Sequence, residues 1–171
     1  MEDMVVGGYL IKGDRYYTKD HEWAYIRNGK AQIGITDYAQ KMLGDIVYVD
    51  LPEKEQEIEA GETLANIESV KNVAPLYSPV TGTVVEVNED IMDDPSLVNE
   101  DPYDAGWIAI VEMKDPTEVE DLMPAEDYAE LLKEIIKEEQ GEDATEEVPV
   151  EGIEESLEGL PEEELGYEEE K

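Results

Sequence analysis

The sequence predicts an α+β fold with a mostly antiparallel β core. Three observations carry that prediction. Short runs of β-branched, aromatic and small residues alternate with polar ones, and Pro, Gly and Asn bound them. Asn28-Gly29 separates two such runs, which is the two-residue signal of a tight hairpin. Strong helical periodicity is confined to a late segment ending near Ile136, so one long helix is left to cover a face of the sheet.

The elements follow in chain order. Residues 5–12, VVGGYLIK, read as a short strand or a loose arm, and 1–13 are set apart as an N-terminal arm. In Asp14 to Arg27, Trp23 and Tyr25 share one strand face while Ala24 and Ile26 share the other. Lys30 to Ile35 returns after the hairpin turn. Thr36 suits a helix cap, Asp37 to Leu43 a short helix, and Gly44 the position just past its end. Asp45 to Leu51 alternates, placing Ile46, Tyr48 and Asp50 on one face and Val47, Val49 and Leu51 on the other, and Pro52 ends it. Glu53 to Ala60 is an acidic connection, and Gly61 turns the chain into Thr63 to Glu68. Thr81 to Val87 is the next strand-like run, entered through Pro79 and Gly82. Glu89 to Glu100 reads as a loop with a helical turn near Pro95, and Trp107 to Met113 as another strand. Pro116 to Met123 suits a short helix. Pro124 opens a longer one, whose Tyr128, Leu131, Leu132, Ile135 and Ile136 form one apolar stripe.

Composition narrows the functional classes. The 171 residues carry a net charge of −35, which repels phosphates and argues against nucleic acid or anionic membrane as partner. There is no cysteine, so disulfides, thiolate metal sites and a cysteine nucleophile are excluded. No apolar run approaches the roughly 20 residues of a membrane helix. The N-terminus starts acidic and lacks an apolar block with a cleavage site, so a soluble cytoplasmic protein is expected. Ten tyrosines and two tryptophans supply the aromatic packing in the absence of phenylalanine.

Chemistry by the chain alone is poorly supported. His21 is the single histidine, beside Glu22 and without a nearby nucleophile. It is also too little for a zinc site, and no calcium loop or phosphate-cradling glycine loop appears. The bland reading of His21 and Trp23 is structural, with His21 hydrogen-bonded and Trp23 packed. Tyr103, Gly106 and Trp107 are read as structural too. From about Lys137 the chain becomes nearly half acidic with scattered apolar residues, and 137–171 are expected to be a disordered, solvating tail in which GIEESLEGL is the one amphipathic stretch.

The most informative stretch is Glu62 to Asn88, with Lys71 at its centre. Strand-like runs flank it, Asn72 favours a turn, and Pro75 and Pro79 keep strand pairing from running through. A lysine there stands out into solvent on a stiff bend, where a modifying ligase reaches it. A plain surface lysine makes the same pattern, so geometry alone leaves both readings open.

The residues ESVKNVAPLYSPVTG around Lys71 resemble the attachment segment of the glycine cleavage system H protein family. Tyr17 to Trp23, Gly34 to Ala39, Leu43-Gly44-Asp45, Leu51-Pro52, Leu97 to Asn99, Asp101-Pro102-Tyr103 and Gly106-Trp107 resemble further family segments in the same order. The resemblance covers roughly 14–134 and sets off 14–136 as a lipoyl-carrier domain. It implies a lipoyl/biotinyl-type β-sandwich, a flattened barrel with a C-terminal helix and flanking short helices. It implies that Lys71 carries lipoic acid in amide linkage, put there by a lipoate ligase or lipoyl transferase. It implies a monomeric, non-catalytic carrier serving a pyridoxal-phosphate glycine decarboxylase, a tetrahydrofolate-dependent aminomethyltransferase and a flavoprotein dihydrolipoamide dehydrogenase. The carried group is the aminomethyl of glycine, and in the family the loaded arm folds back on the protein's own surface. Glu22 is the carboxylate that the resemblance places beside the arm. The position four after the lysine, often acidic in the family, holds Pro75, and Asp20 offers a substitute charge. Rival readings are a lipoyl-relay or H-like carrier outside glycine cleavage, a biotin carrier, and an unmodified scaffold. Val70 and Asn72, rather than methionines, flank Lys71, which disfavours biotin.

Overall fold

A computed structural model describes residues 2–140 and 147–149. The strands are β1 (Met4–Val6), β2 (Tyr9–Ile11), β3 (Tyr16–Tyr17), β4 (Glu22–Arg27) and β5 (Lys30–Ile35) before the helix α1 (Asp37–Leu43). Then come β6 (Ile46–Asp50), β7 (Glu57–Ile58), β8 (Thr63–Ser69), β9 (Val73–Tyr77) and β10 (Gly82–Val87). Two short helices, α2 (Asp90–Asp93) and α3 (Ser96–Glu100), precede β11 (Ala109–Met113). A 3₁₀ turn at Pro116–Asp121, β12 (Met123–Pro124), α4 (Ala125–Gln140) and β13 (Glu147–Pro149) complete the order.

Every strand pairing is antiparallel. A seven-stranded sheet runs β12-β3-β4-β5-β11-β10-β7, and a three-stranded sheet runs β6-β8-β9. Ala24, Ile33, Val84 and Val111 of the first meet Ile46, Val49, Ile67 and Leu76 of the second in one buried core, so the two sheets form a sandwich. A second core lies on the other face of the large sheet. There Tyr17 and Trp23 pack under Tyr128, Leu132 and Ile136 of α4 and against Met4, Val6 and Ile11. Burial of each such large side chain contributes about 1.5–3 kcal/mol. The alternation expected for β4 holds: Trp23 and Tyr25 face α4, Ala24 and Ile26 face the sandwich.

Local signals explain the connections. Asn28 and Gly29 take φ of 54° and 78°, the left-handed pair a tight hairpin turn requires, and Arg27 pairs with Lys30. Thr36 Oγ1 accepts the Ala39 N–H at 3.1 Å, and Gly44, with φ 82°, closes α1 by donating its N–H to Gln40 O.

Four expectations are corrected. Residues 4–11, expected as one short strand or a loose arm, form a two-stranded β hairpin anchored by the Tyr103 hydroxyl, which donates to Leu10 O at 2.7 Å. Residues 89–100 hold two short helices rather than a loop with one helical turn. In β6 a bulge between Ile46 and Tyr48 breaks the alternation, so Ile46 and Val49 are buried while Val47 and Tyr48 face out. At the C-terminal boundary, α4 continues past Lys137 to Gln140, and Glu147–Pro149 pairs with β1, so these residues are not a disordered tail. The remainder of that segment, GIEESLEGL included, lies outside the described residues. Among the described residues no helix is long and apolar enough to cross a membrane.

Candidate functional site

Lys71 lies in the turn between β8 and β9, at one end of the small sheet. This corrects the pairing expected from sequence. The strand opposite Thr63–Ser69 is Val73–Tyr77, whereas Gly82–Val87 lies in the other sheet. Pro75 sits within β9 opposite Asn66, which is tolerated because β9 is an edge strand.

The turn is held by its own backbone and one hydroxyl. Ser69 N–H donates to Asn72 O at 2.7 Å. Ser69 Oγ accepts the N–H groups of Lys71 and Asn72 at 3.2 and 3.1 Å. Val70 N–H donates to Asp45 O at 3.0 Å, tying the turn to the link between α1 and β6. Val70, Lys71, Asn72 and Val73 are exposed. The lysine side chain lies back over the end of α1: its Cε is 3.4 Å from the point a Cβ on Gly44 would occupy.

One residue before Gly44 an apolar groove of about 190 Å³ begins. Leu43, Met42, Ala39 and Tyr38 of α1 form one wall, Ala74 and Pro75 of β9 the other, and Asp20, His21 and Glu22 reach its end. Sequence reading gives Tyr38, Ala39, Met42 and Leu43 of α1 as one stripe at helical spacing and misses that the stripe walls a groove. The available signal is Met42, which belongs to that stripe yet is half exposed.

The two carboxylates expected beside the arm fall into two environments. Asp20 is exposed. Glu22 is only 3% exposed, with both carboxylate oxygens engaged. Thr18 Oγ1 donates to Oε1 at 2.8 Å, and the Tyr77 backbone N–H donates to Oε2 at 2.7 Å. Burial pushes the Glu22 carboxyl up to about 7; Asp20 adds to the rise, and the bonds from Thr18 and Tyr77 oppose it. The Tyr77 contact joins the end of the Lys71 hairpin to β4, 55 residues away, and no local pattern announces it.

His21 has φ 71° and places its Nδ1 2.7 Å from the Tyr128 hydroxyl, which also lies 3.1 Å from Thr36 Oγ1. Burial lowers its affinity for a proton, against the influence of Asp20 and Glu139. Trp23 is fully buried and its Nε1–H donates to Pro102 O at 3.1 Å. Both are integrated into the packing. Among the described residues no cluster of three or more His, Cys, Asp or Glu is placed to hold a metal.

The model of the family described as "Glycine cleavage H-protein" matches residues 15–135. The chain belongs to the glycine cleavage H-protein family. It is 73% identical over 143 residues to glycine cleavage system H protein 4 of Aquifex aeolicus, covering 84% of each chain. It is 53% identical over 130 residues to a probable glycine cleavage system H protein of Pyrococcus horikoshii, covering 75% of this chain and 96% of that one. Its fold is similar to the crystal structure of a glycine cleavage system H protein from Mycobacterium marinum, with TM-score 0.66, 42% identity, and coverage of 70% of this chain and 97% of the other. The H-protein sandwich is therefore the fold, and the family role is that of a lipoyl carrier subunit in glycine cleavage rather than a catalyst.

Proposed function

We propose that Lys71 carries lipoate in amide linkage and that this chain serves glycine decarboxylase, an aminomethyltransferase and dihydrolipoamide dehydrogenase as their mobile substrate. The observation that carries the reading is the exposed Lys71 on a pinned turn, with its Cε over Gly44, the residue after Leu43 of the groove wall. The residues present fit the group. Gly44 has no Cβ to crowd the Lys71 side chain, and the nearby groove is walled by Leu43, Met42, Ala74 and Pro75, which match an aliphatic chain. When bound, lipoate supplies a dithiolane that accepts the aminomethyl group of glycine and a pair of electrons.

The chain's own part is positional. Ser69 fixes where the arm starts, and tethering raises the local concentration of its tip at each partner site. Asp20 and Glu22 are the carboxylates beside the arm. Asp20 is free to face a cationic tip, while Glu22 holds β9 in place through Tyr77.

Mass analysis of the protein from its native cell tests the reading. A lipoyl increment on the peptide bearing Lys71 is expected. An unmodified Lys71 in lipoate-replete cells would leave a binding scaffold that kept the fold.

A further inference from the structure

The Lys71 turn is ringed by apolar side chains that the fold leaves uncovered. Tyr48, Glu68 and Val73 stand directly across from one another on β6, β8 and β9. The β6 bulge sets Val47 outward beside Tyr48. Val70 is 66% and Val73 62% exposed, and Met42 is exposed near the end of α1, over which the Lys71 side chain lies. These five are all but one of the large apolar side chains exposed among the described residues, the sixth being Met92. Apolar side chains gathered in one place on a surface of such high charge mark a binding surface. The bulge sharpens the point: bulges re-aim side chains next to functional sites, and this one exposes two adjacent apolar residues.

We infer that this collar docks the enzyme that acylates Lys71, through an apolar contact face with a cationic rim on that enzyme. The inference rests on Lys71 being the attachment point. The occupant follows from reach. A bare lysine offers only four methylenes, so its Nζ enters an active site only if that enzyme lies on the turn itself. Enzymes visited later are met through the longer arm and need not touch the collar. The rim follows from charge, because Glu68, Asp45 and Asp50 are the exposed ionisable neighbours along β6 and β8 and the chain as a whole carries −35. In the reaction, Nζ attacks the carbonyl carbon of lipoyl adenylate. The new C–N bond replaces the C–O bond to AMP, AMP leaves, and the amine gives a proton to solvent.

The test uses the full-length unmodified chain, a purified lipoate ligase, lipoic acid and ATP, with intact mass as readout. Val47→Thr combined with Tyr48→Thr should raise KM for the carrier about tenfold while kcat stays nearly constant, the mark of lost uniform binding. Val73→Ser, across the sheet, should act in the same direction. Glu68→Gln should flatten the dependence of KM on salt. Acetylation of Lys71 by acetic anhydride should be equal in all variants, and thermal unfolding should show them folded. If wild type is acylated at Lys71 and both apolar variants match its KM, the docking surface is refuted and the attachment stands. If wild type is not acylated at Lys71, attachment and docking fall together.

Discussion

Glu22 Oε2 accepts the Tyr77 backbone N–H at 2.7 Å, so a buried carboxylate ties the base of the Lys71 hairpin to the opposite sheet. Burial of that carboxylate, against which the Tyr77 and Thr18 bonds work, makes stability depend on pH. The folded chain holds the Glu22 proton with a pKa near 7, against an ordinary value of 4.5. The native state therefore binds that proton more tightly than the unfolded chain. This contribution is fully present below about pH 4.5 and is lost as pH rises through 7. Glu22→Gln keeps an acceptor for Tyr77 and removes the titration. The stability of wild type relative to Glu22→Gln, from urea unfolding, should fall by on the order of 3 kcal/mol between pH 4.5 and 8. A flat difference would show that Glu22 ionises in the fold without penalty.

Lys71→Arg should fold as wild type, because every bond that shapes the turn comes from the Ser69 hydroxyl or from backbone groups. The guanidinium cannot form the acyl amide under the ligase. Unchanged thermal unfolding is expected, with loss of the lipoyl mass increment and of reconstituted glycine cleavage. Retained activity would place the attachment elsewhere.

Ser69→Ala should loosen the turn. It removes the acceptor shared by the Lys71 and Asn72 N–H groups, at a cost of about 1–2 kcal/mol. Hydrogen exchange should speed up at those two amides and remain slow in β4 and β5. Lipoylation by the ligase should slow, since Nζ is then offered from many turn conformations.

How far the sequence reaches is set by the range of the forces involved. The β4–β5 hairpin and α1 are legible because Asn28-Gly29, Thr36 and Gly44 each act within a few residues. The exposed Lys71 is legible for the same reason. The partner of β8 is not, because alternation announces a strand without naming its neighbour. The β6 bulge is hidden because period two is assumed until a bulge breaks it. Helix α2 escapes notice, and α3 is read only as a helical turn near Pro95, because neither has a side-chain cap. The burial of Glu22 is hidden because its Oε2 is engaged by Tyr77, far along the chain. The groove combines α1, β9 and the turn before β4, and only the folded chain brings these together.

Gly82 separates two reasons for a glycine and supplies a sharp test of the sandwich. Sequence reading treats it as a turn residue, but it lies in β10 paired with both Met113 and Ile58. A Cβ there would stand 1.9 Å from Glu112 O, and a backbone atom in a paired strand cannot yield as a flexible side chain can. Gly82→Ala must therefore push β11 away from β10 and open the core around Val84 and Val111, at a cost of about 3 kcal/mol or more. Gly29→Ala is the contrast. Nothing lies within 4 Å of its added Cβ, and the φ of +78° is the sole penalty, about 1–2 kcal/mol. Urea unfolding of the two variants should rank Gly82→Ala well below Gly29→Ala in stability. The reverse order would mean that β10 and β11 are not in the register that closes the sandwich beneath the Lys71 hairpin.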